Sequence, residues 1–323
     1  MPSVGRRAAL ALGLLFAAGP AGAQTVGRNV RVLVGFAAGG PTDLVARLYT
    51  ERLRPGYAAA AIVDNRPGAS GRLAVEAVRG AEPDGATLLV TPASVMTLQP
   101  VVFPREARYD ATTDLTPVCT VCDFGFGIAV PMSHPARSFA ELVSWVRAQP
   151  QEVAYGSPGS GSGPHFLGEM LGQAIGKRLN HIPYRGSVLA VQDTLAGRVP
   201  ISIAVLSDQV PHHGTGLRIL AVTSDTRVPR LPDVPTVAEA GMPQLAISEW
   251  MGLFAPPRTP PAIVEALHRI VAAAAQTNEV RETLARFEFQ PTVTGPDAFP
   301  ARIRRERDTW ARVVRDSGFQ PET

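Results

Sequence analysis

The sequence has almost no lysine: Lys177 stands alone in 323 residues. Arginine carries nearly all the positive charge, a bias we attribute to codon usage rather than to chemistry. Lysine and arginine together number 31 against 28 aspartates and glutamates. Two of those arginines, Arg6 and Arg7, sit in a segment that reads as removable, so the mature chain is close to neutral. That balance excludes the electrostatic footprint of a nucleic-acid binder or of a protein drawn to acidic membrane surfaces. Past the N-terminal segment, no apolar run reaches the length that spans a bilayer. Low-complexity tracts and short-period repeats are missing as well.

Cysteine is equally scarce, with Cys119 and Cys122 alone. Their C-x-x-C spacing raises a redox or metal role in an exported chain. Yet TPVCTVCDFGFGIAV reads as a strand, where residues three apart point to opposite faces. That geometry disfavours a bridge, and no further ligand lies nearby in sequence. Two buried thiols are the preferred reading, with a disulfide left open if the strand is bulged.

The known catalytic signatures fail one by one. The run Gly159–Gly163 has glycine, not serine, at its centre, so it is no G-x-S-x-G elbow. Lys177 is followed by Arg178, which rules out the G-x-x-x-x-G-K-[ST] phosphate loop. Pro164 interrupts a G-x-G-x-x-G fingerprint begun at Gly159. The six histidines include no H-E-x-x-H, and the neighbours His212 and His213 cannot chelate from one face. No nucleophile, base and orienting group assemble, so no catalytic residue, metal site or cofactor is expected.

What is present begins with an address. In MPSVGRRAALALGLLFAAGPAGAQ, Arg6 and Arg7 form a basic start, Ala8 to Ala18 an apolar core, and Ala21-Gly22-Ala23 a cleavage site. The segment predicts a soluble periplasmic protein beginning at Gln24. Beyond it, short apolar strands alternate with amphipathic helices, the pattern of an α/β protein with mostly parallel sheets. Strands are expected near 30–34, 60–63, 87–91, 153–155, 181–184, 199–205 and 217–223. The C-terminal third reads as largely helical, most clearly at 261–275 and 298–316.

Three strand-to-helix turns stand out. Phe36-Ala37-Ala38-Gly39-Gly40-Pro41 has a counterpart in YGSPGSGSGPHFLGEML, where a strand again meets a glycine-rich turn, Gly-Pro and a helix. Proline suits a first helical turn because its missing N–H needs no partner there. In PYRGSVLAVQDTL the third turn places Ser187 as a plausible N-cap. Helix N-termini behind glycine-rich turns are ready anion sites, and the strand-end rim of open α/β sheets is where ligands bind. Each residue also has a plainer reading. Asp43 answers to the dipole of its own helix, and Ser157, Ser160 and Ser162 to their own backbone. His165 is evenly divided between ligand donor and packed core. Three serines among four glycines tilt that loop toward binding.

These stretches resemble the Bug family, the TctC-like extracytoplasmic solute-binding proteins of tripartite tricarboxylate transporters. The resemblance is carried by VGFAAGGPTDLVAR, VDNRPGASGRLAVEAVRGAEPDGATLLV, YGSPGSGSGPHFLGEML, HIPYRGSVLAVQDTLAGRVP, LPDVPTVAEAGMPQL and the W-x-G-L-x-A-P from Trp250, in family order. It implies a two-lobed (type II) periplasmic binding protein fold, with a small carboxylate-bearing ligand held by main-chain donors and ordered waters. It implies Phe36, Ala38, Gly40, Thr42 and Asp43 in the first ligand loop and Ser157, Gly161, Ser162 and His165 in the second. Tyr184 matches the third strand end and Ser94 a further small polar rim residue. Arg185 stands where the family has lysine, and Ala204 where many members have aspartate, with Asp208 four positions on. The distal end of the pocket is therefore not carried over.

The resulting expectation is a monomeric, non-enzymatic receptor with lobe 1 at 24–124 and 224–323 and lobe 2 at 125–223. Its partners are the small carboxylate and the membrane permease subunits of a tripartite transporter, with no nucleic acid. Presentation of the carboxylate to a sensor instead is the second reading, and a secreted hydrolase of small esters or amides a remote one.

Overall fold

The computed structural model describes residues 29–54, 56–317 and 319; the export segment and its cleavage site lie outside them. The chain opens with β1 (Val30–Val34), α1 (Pro41–Thr50), β2 (Ala61–Asn65), α2 (Arg72–Arg79), β3 (Thr87–Pro92), α3 (Ala93–Thr97) and α4 (Gln99–Val102). The long strand β4 (Thr116–Pro131) leads on to α5 (Phe139–Ala148), β5 (Val153–Ser157), α6 (Gly163–Ile175) and β6 (Leu179–Pro183). Next come α7 (Ser187–Leu195), β7 (Ile201–Val205), α8 (Leu206–Gln209) and β8 (Leu217–Val222). The chain returns through β9 (Ser248–Ala255), α9 (Pro261–Ala275), α10 (Asn278–Arg286), β10 (Phe289–Gln290) and α11 (Phe299–Ser317).

The alternation of strand and helix produces parallel pairing where helices make the crossovers. There β1 lies between β2 and β3, and β5 between β6 and β7, all parallel. The centre is antiparallel, because the chain passes between the two parallel groups on strands rather than crossover helices. β9 pairs with both β3 and β4, and β4 pairs with β7, β8 and β10. The strand order is β2-β1-β3-β9-β4-β7-β5-β6. One strand serves both halves: up to Gly125, β4 pairs with β9, and from Phe126 onward it pairs with β7 and β8.

Cys119 and Cys122 lie on this shared strand, buried in the main apolar core as free thiols. The strand is bulged, with register shifts between Pro117 and Cys119 and between Thr120 and Cys122. Burial pushes both thiols well above the ordinary cysteine range, which makes them inert rather than reactive.

Local chemistry sets the helix ends that matter most. Ser162 caps α6 by accepting the His165 N–H at 3.3 Å, and Gly176, at φ 69°, ends that helix in the left-handed region. Gly40 precedes Pro41 at the start of α1. At α7 the expectation of a Ser187 cap is corrected. Gly186 occupies the cap at φ 117°, and Ser187 is the first helical residue, its hydroxyl instead accepting the Val205 N–H at 3.4 Å. The tight approach of α7 to β7 draws that hydroxyl away from its own helix. Among the described residues, no helix is long and apolar enough to cross a membrane.

Candidate ligand-binding site

Parallel strands place all their C-terminal ends on one edge, and the helix that follows each strand begins there. The first loop, between β1 and α1, is braced from within by Asp43. One carboxylate oxygen accepts the Gly39 N–H and the Arg47 guanidinium, both at 2.9 Å, and the other accepts the Asn65 side-chain amide at 2.9 Å. Burial works against the charge, but these bonds from Arg47, Gly39 and Asn65 prevail and hold Asp43 below the usual carboxylate range. The same Asn65 amide also donates to the Phe36 carbonyl at 3.1 Å. Asp43 therefore shapes the loop. Ala38 is exposed at its crest, Phe36 is half-buried, and Thr42 is buried in the first turn of α1. The helix itself cannot satisfy the N–H groups of that turn.

The second loop, between β5 and α6, turns its polar side chains inward. Ser157 is hydrogen-bonded to His181 at 2.6 Å and accepts the Gly159 N–H at 3.3 Å. Ser162 donates to the Gly159 carbonyl at 2.7 Å. The Gly161 N–H goes to His165 Nδ1 at 3.1 Å, so that main-chain donor is already used. His165 itself is buried, stacked on His181 with ring centroids 3.9 Å apart. Desolvation pushes both imidazoles down, His165 to about 3 with the neighbouring His181 adding to the effect, and His181 to about 4. Both are neutral at physiological pH. Of the two readings of His165, the structure places it in the packed core under the loop.

Tyr184 is half-buried, with its hydroxyl donating to Asp193 at 2.8 Å and its ring against Gly156. A Cβ on Gly156 would sit 3.1 Å from that ring. Tyr184 thus supports the second loop from behind. Arg185 is exposed beside it.

The two loops meet. A Cβ on Gly161 would lie 2.5 Å from the Phe103 ring, and one on Gly159 would lie 3.7 Å from Ser70 Oγ. Ser94, at the start of α3, completes the facing rim, and its N–H donates to Glu249 at 3.2 Å. Phe36, Ala38, Gly40, Thr42 and Asp43 thus gather on one side, with Ser157, Gly161, Ser162 and His165 opposite. A cavity of about 820 Å³ lies along α6 and reaches the second loop, lined by Phe103, Ser160, His165, Glu169, His181 and Phe319 among others, and includes no first-loop residue. Among the described residues, no group of three or more metal-ligating side chains could hold an ion.

Sequence reasoning missed four residues that shape this site: Asn65, Ser70, Phe103 and Glu249. Glu249 carried a usable signal, a lone acid entering the apolar run WMGLFA. Asn65, Ser70 and Phe103 carried none, because their roles depend on contacts made across the fold.

A model of the tripartite tricarboxylate transporter family receptor, TctC, matches residues 45–319. Protein BugT of Bordetella pertussis is 33% identical over 303 residues, spanning 93% of this chain and 93% of that protein. Among solved structures, Rpa4515 of R. palustris with adipate superposes with a TM-score of 0.85 at 32% identity, covering 91% of this chain and 99% of that one. MatC of Rhodopseudomonas palustris with bound malate gives 0.81 at 30% identity, covering 89% and 99%.

Proposed function

The chain belongs to the tripartite tricarboxylate transporter receptor family, and from that premise we propose that it captures a small carboxylate-bearing solute between two lobes for a membrane permease. It is a binding protein, not an enzyme, and it has the two-lobed periplasmic binding protein fold. The relatives seen with adipate and malate support a carboxylate ligand here. One observation carries the reading: two strand–turn–helix units from opposite halves of the sheet face each other, each turn internally braced. A carboxylate entering between them meets the first-turn donors and the positive dipole end of α1. No arginine is needed at that point.

The lobes in this reading are 24–124 with 224–323, and 125–223. The change of partners along β4 at Gly125 and Phe126 supports the first boundary, and the end of β8 at Val222 supports the second. Export to the periplasm with cleavage after Ala23 belongs to the same reading, and N-terminal sequencing of the secreted form should return Gln24. Native mass spectrometry of freshly purified protein tests the function directly. A single co-purifying small acid, lost on denaturation and rebound in calorimetry, is the expected result. Stoichiometric capture of an uncharged solute, with no carboxylate competing, would overturn it.

A further inference from the structure

Glu249 is the second residue of β9, and every other residue from Trp250 to Ala255 is buried with it. Because β9 runs antiparallel to β3, with Met251 opposite Pro92, its first residues lie level with the start of α3. There the Ser94 N–H donates to Glu249 Oε2. The other oxygen, Oε1, faces the opposite half of the molecule. A Cβ built on Gly163, the first residue of α6, would fall 2.2 Å from Oε1 and 3.2 Å from the Phe126 ring. The Gly163 N–H lies close enough to favour the charge, but short of hydrogen-bond geometry: among the described residues, Oε1 has no partner. The side chain is only 3% exposed. The acid nearby that adds to its burden is Glu306 on α11, itself tied to Trp250 and Arg302. Burial first, and Glu306 in addition, raise Glu249 to about 7 against the pull of Ser94.

A thirteen-residue helix whose N-terminus meets an unpartnered buried acceptor differs from one that simply faces a cleft. The anion position is filled by the protein itself. We infer that Glu249 is a selectivity residue: it occupies the anion position at the α6 N-terminus, so the ligand end that reaches it donates a hydrogen bond, as a hydroxyl or an ammonium, instead of presenting a second carboxylate. The inference rests on the carboxylate reading of the cleft. One ligand carboxylate is held at the first loop, and the far end satisfies Oε1. Once Glu249 is ionised, a second carboxylate there meets a like charge at a buried position.

The test uses the full-length mature chain and matched probes: adipate and succinate, each with its ω-hydroxy and ω-amino monocarboxylate counterparts, titrated by calorimetry at pH 8, where Glu249 is ionised. The wild type should bind a donor-ended probe about tenfold or more tighter than the dicarboxylate of equal length. Glu249→Gln should erase that preference by tightening dicarboxylate binding, with circular dichroism confirming the fold. Loss of ω-amino binding in Glu249→Gln with ω-hydroxy binding retained assigns the donor as an ammonium; retention of both assigns a hydroxyl. Equal or tighter dicarboxylate binding by the wild type overturns the inference, as does a preference unchanged in Glu249→Gln. Failure of every probe to bind either protein instead overturns the carboxylate reading on which it stands.

Discussion

Asp43 illustrates how a residue that looks like a ligand contact can act one step behind it. Its ion pair with Arg47 contributes little, since the arginine side chain is 53% exposed and solvent screens it. The bonds to the Gly39 N–H and the Asn65 amide matter more, because they close the loop around a buried carboxylate. Asp43→Ala should therefore cost about 1–2 kcal/mol in urea unfolding, while Arg47→Ala should cost much less. Near-equal losses in the two variants would show that the exposed pair, not the loop brace, dominates. Glu249 obeys the opposite logic. Its folded-state pKa is raised, so between about 4.5 and about 7 the folded chain holds a proton that the unfolded chain has released. Stability then falls as pH rises through that window. Glu249→Gln removes the effect, and its advantage over the wild type should grow toward neutral pH to about 3 kcal/mol. Thermal melts at pH 5 and pH 8 measure that gap; a gap independent of pH would contradict it.

At the scale of the element, the second loop is a packed structure rather than a flexible glycine tether. Its serines and the two imidazoles bond to one another and to the loop backbone, leaving Gly161 pressed against Phe103 from the other half. Gly161 sits at φ 73°, a left-handed conformation that a branched residue strains to adopt. Gly161→Val thus meets both backbone strain and a collision across the cleft. It should weaken ligand binding by about tenfold or more, whereas Arg185→Ala, at an exposed position, should leave affinity within about twofold. Calorimetry on the co-purified ligand compares them, and the reverse order would assign the anion to the arginine. The buried imidazoles add a pH dependence of their own sign. Their folded pKa values are depressed, so their contribution to stability is full above about 6.5 and is lost as pH falls toward about 4 for His181 and about 3 for His165.

For the whole molecule, the governing feature is that the halves share β4 and an apolar seam between α6 and α11, while their rims meet through small contacts. Gly159 near Ser70, Gly161 on Phe103, and Glu249 between Ser94 and Gly163 join them on the ligand side. Away from those contacts α11 packs on α6, where Phe166 meets Trp310 and Phe319 in a buried cluster with Leu98 and Val102. An apolar seam thus already joins the halves, and a ligand touching both rims adds the contacts that favour the closed form. Small-angle scattering should show a smaller radius of gyration at saturating ligand than in stripped protein. In Phe103→Ala the stripped form should be more expanded still. A stripped protein as compact as the liganded one, in both wild type and variant, would mean that the ligand does not drive closure.

The alternation of apolar strands with amphipathic helices is local information, which is why the α/β class and the turns at Gly40, Gly161 and Gly186 were legible in the residues themselves. The family stretches spread over the mature chain likewise identified a two-lobed receptor before any contact was known. Ser162 was legible only as a serine that bonds to its own backbone, its cap on α6 becoming plain in the structure, and the cap read at Ser187 was wrong, because that hydroxyl answers to β7. The antiparallel centre of the sheet, the inward turn of Ser157 and His165, and the seat of Glu249 were decided only by tertiary structure. Each depends on partners far apart in the chain: Glu249 meets Ser94 across 155 positions. Periodicity records which side of an element is apolar, but it does not record which distant donor will face a buried acid.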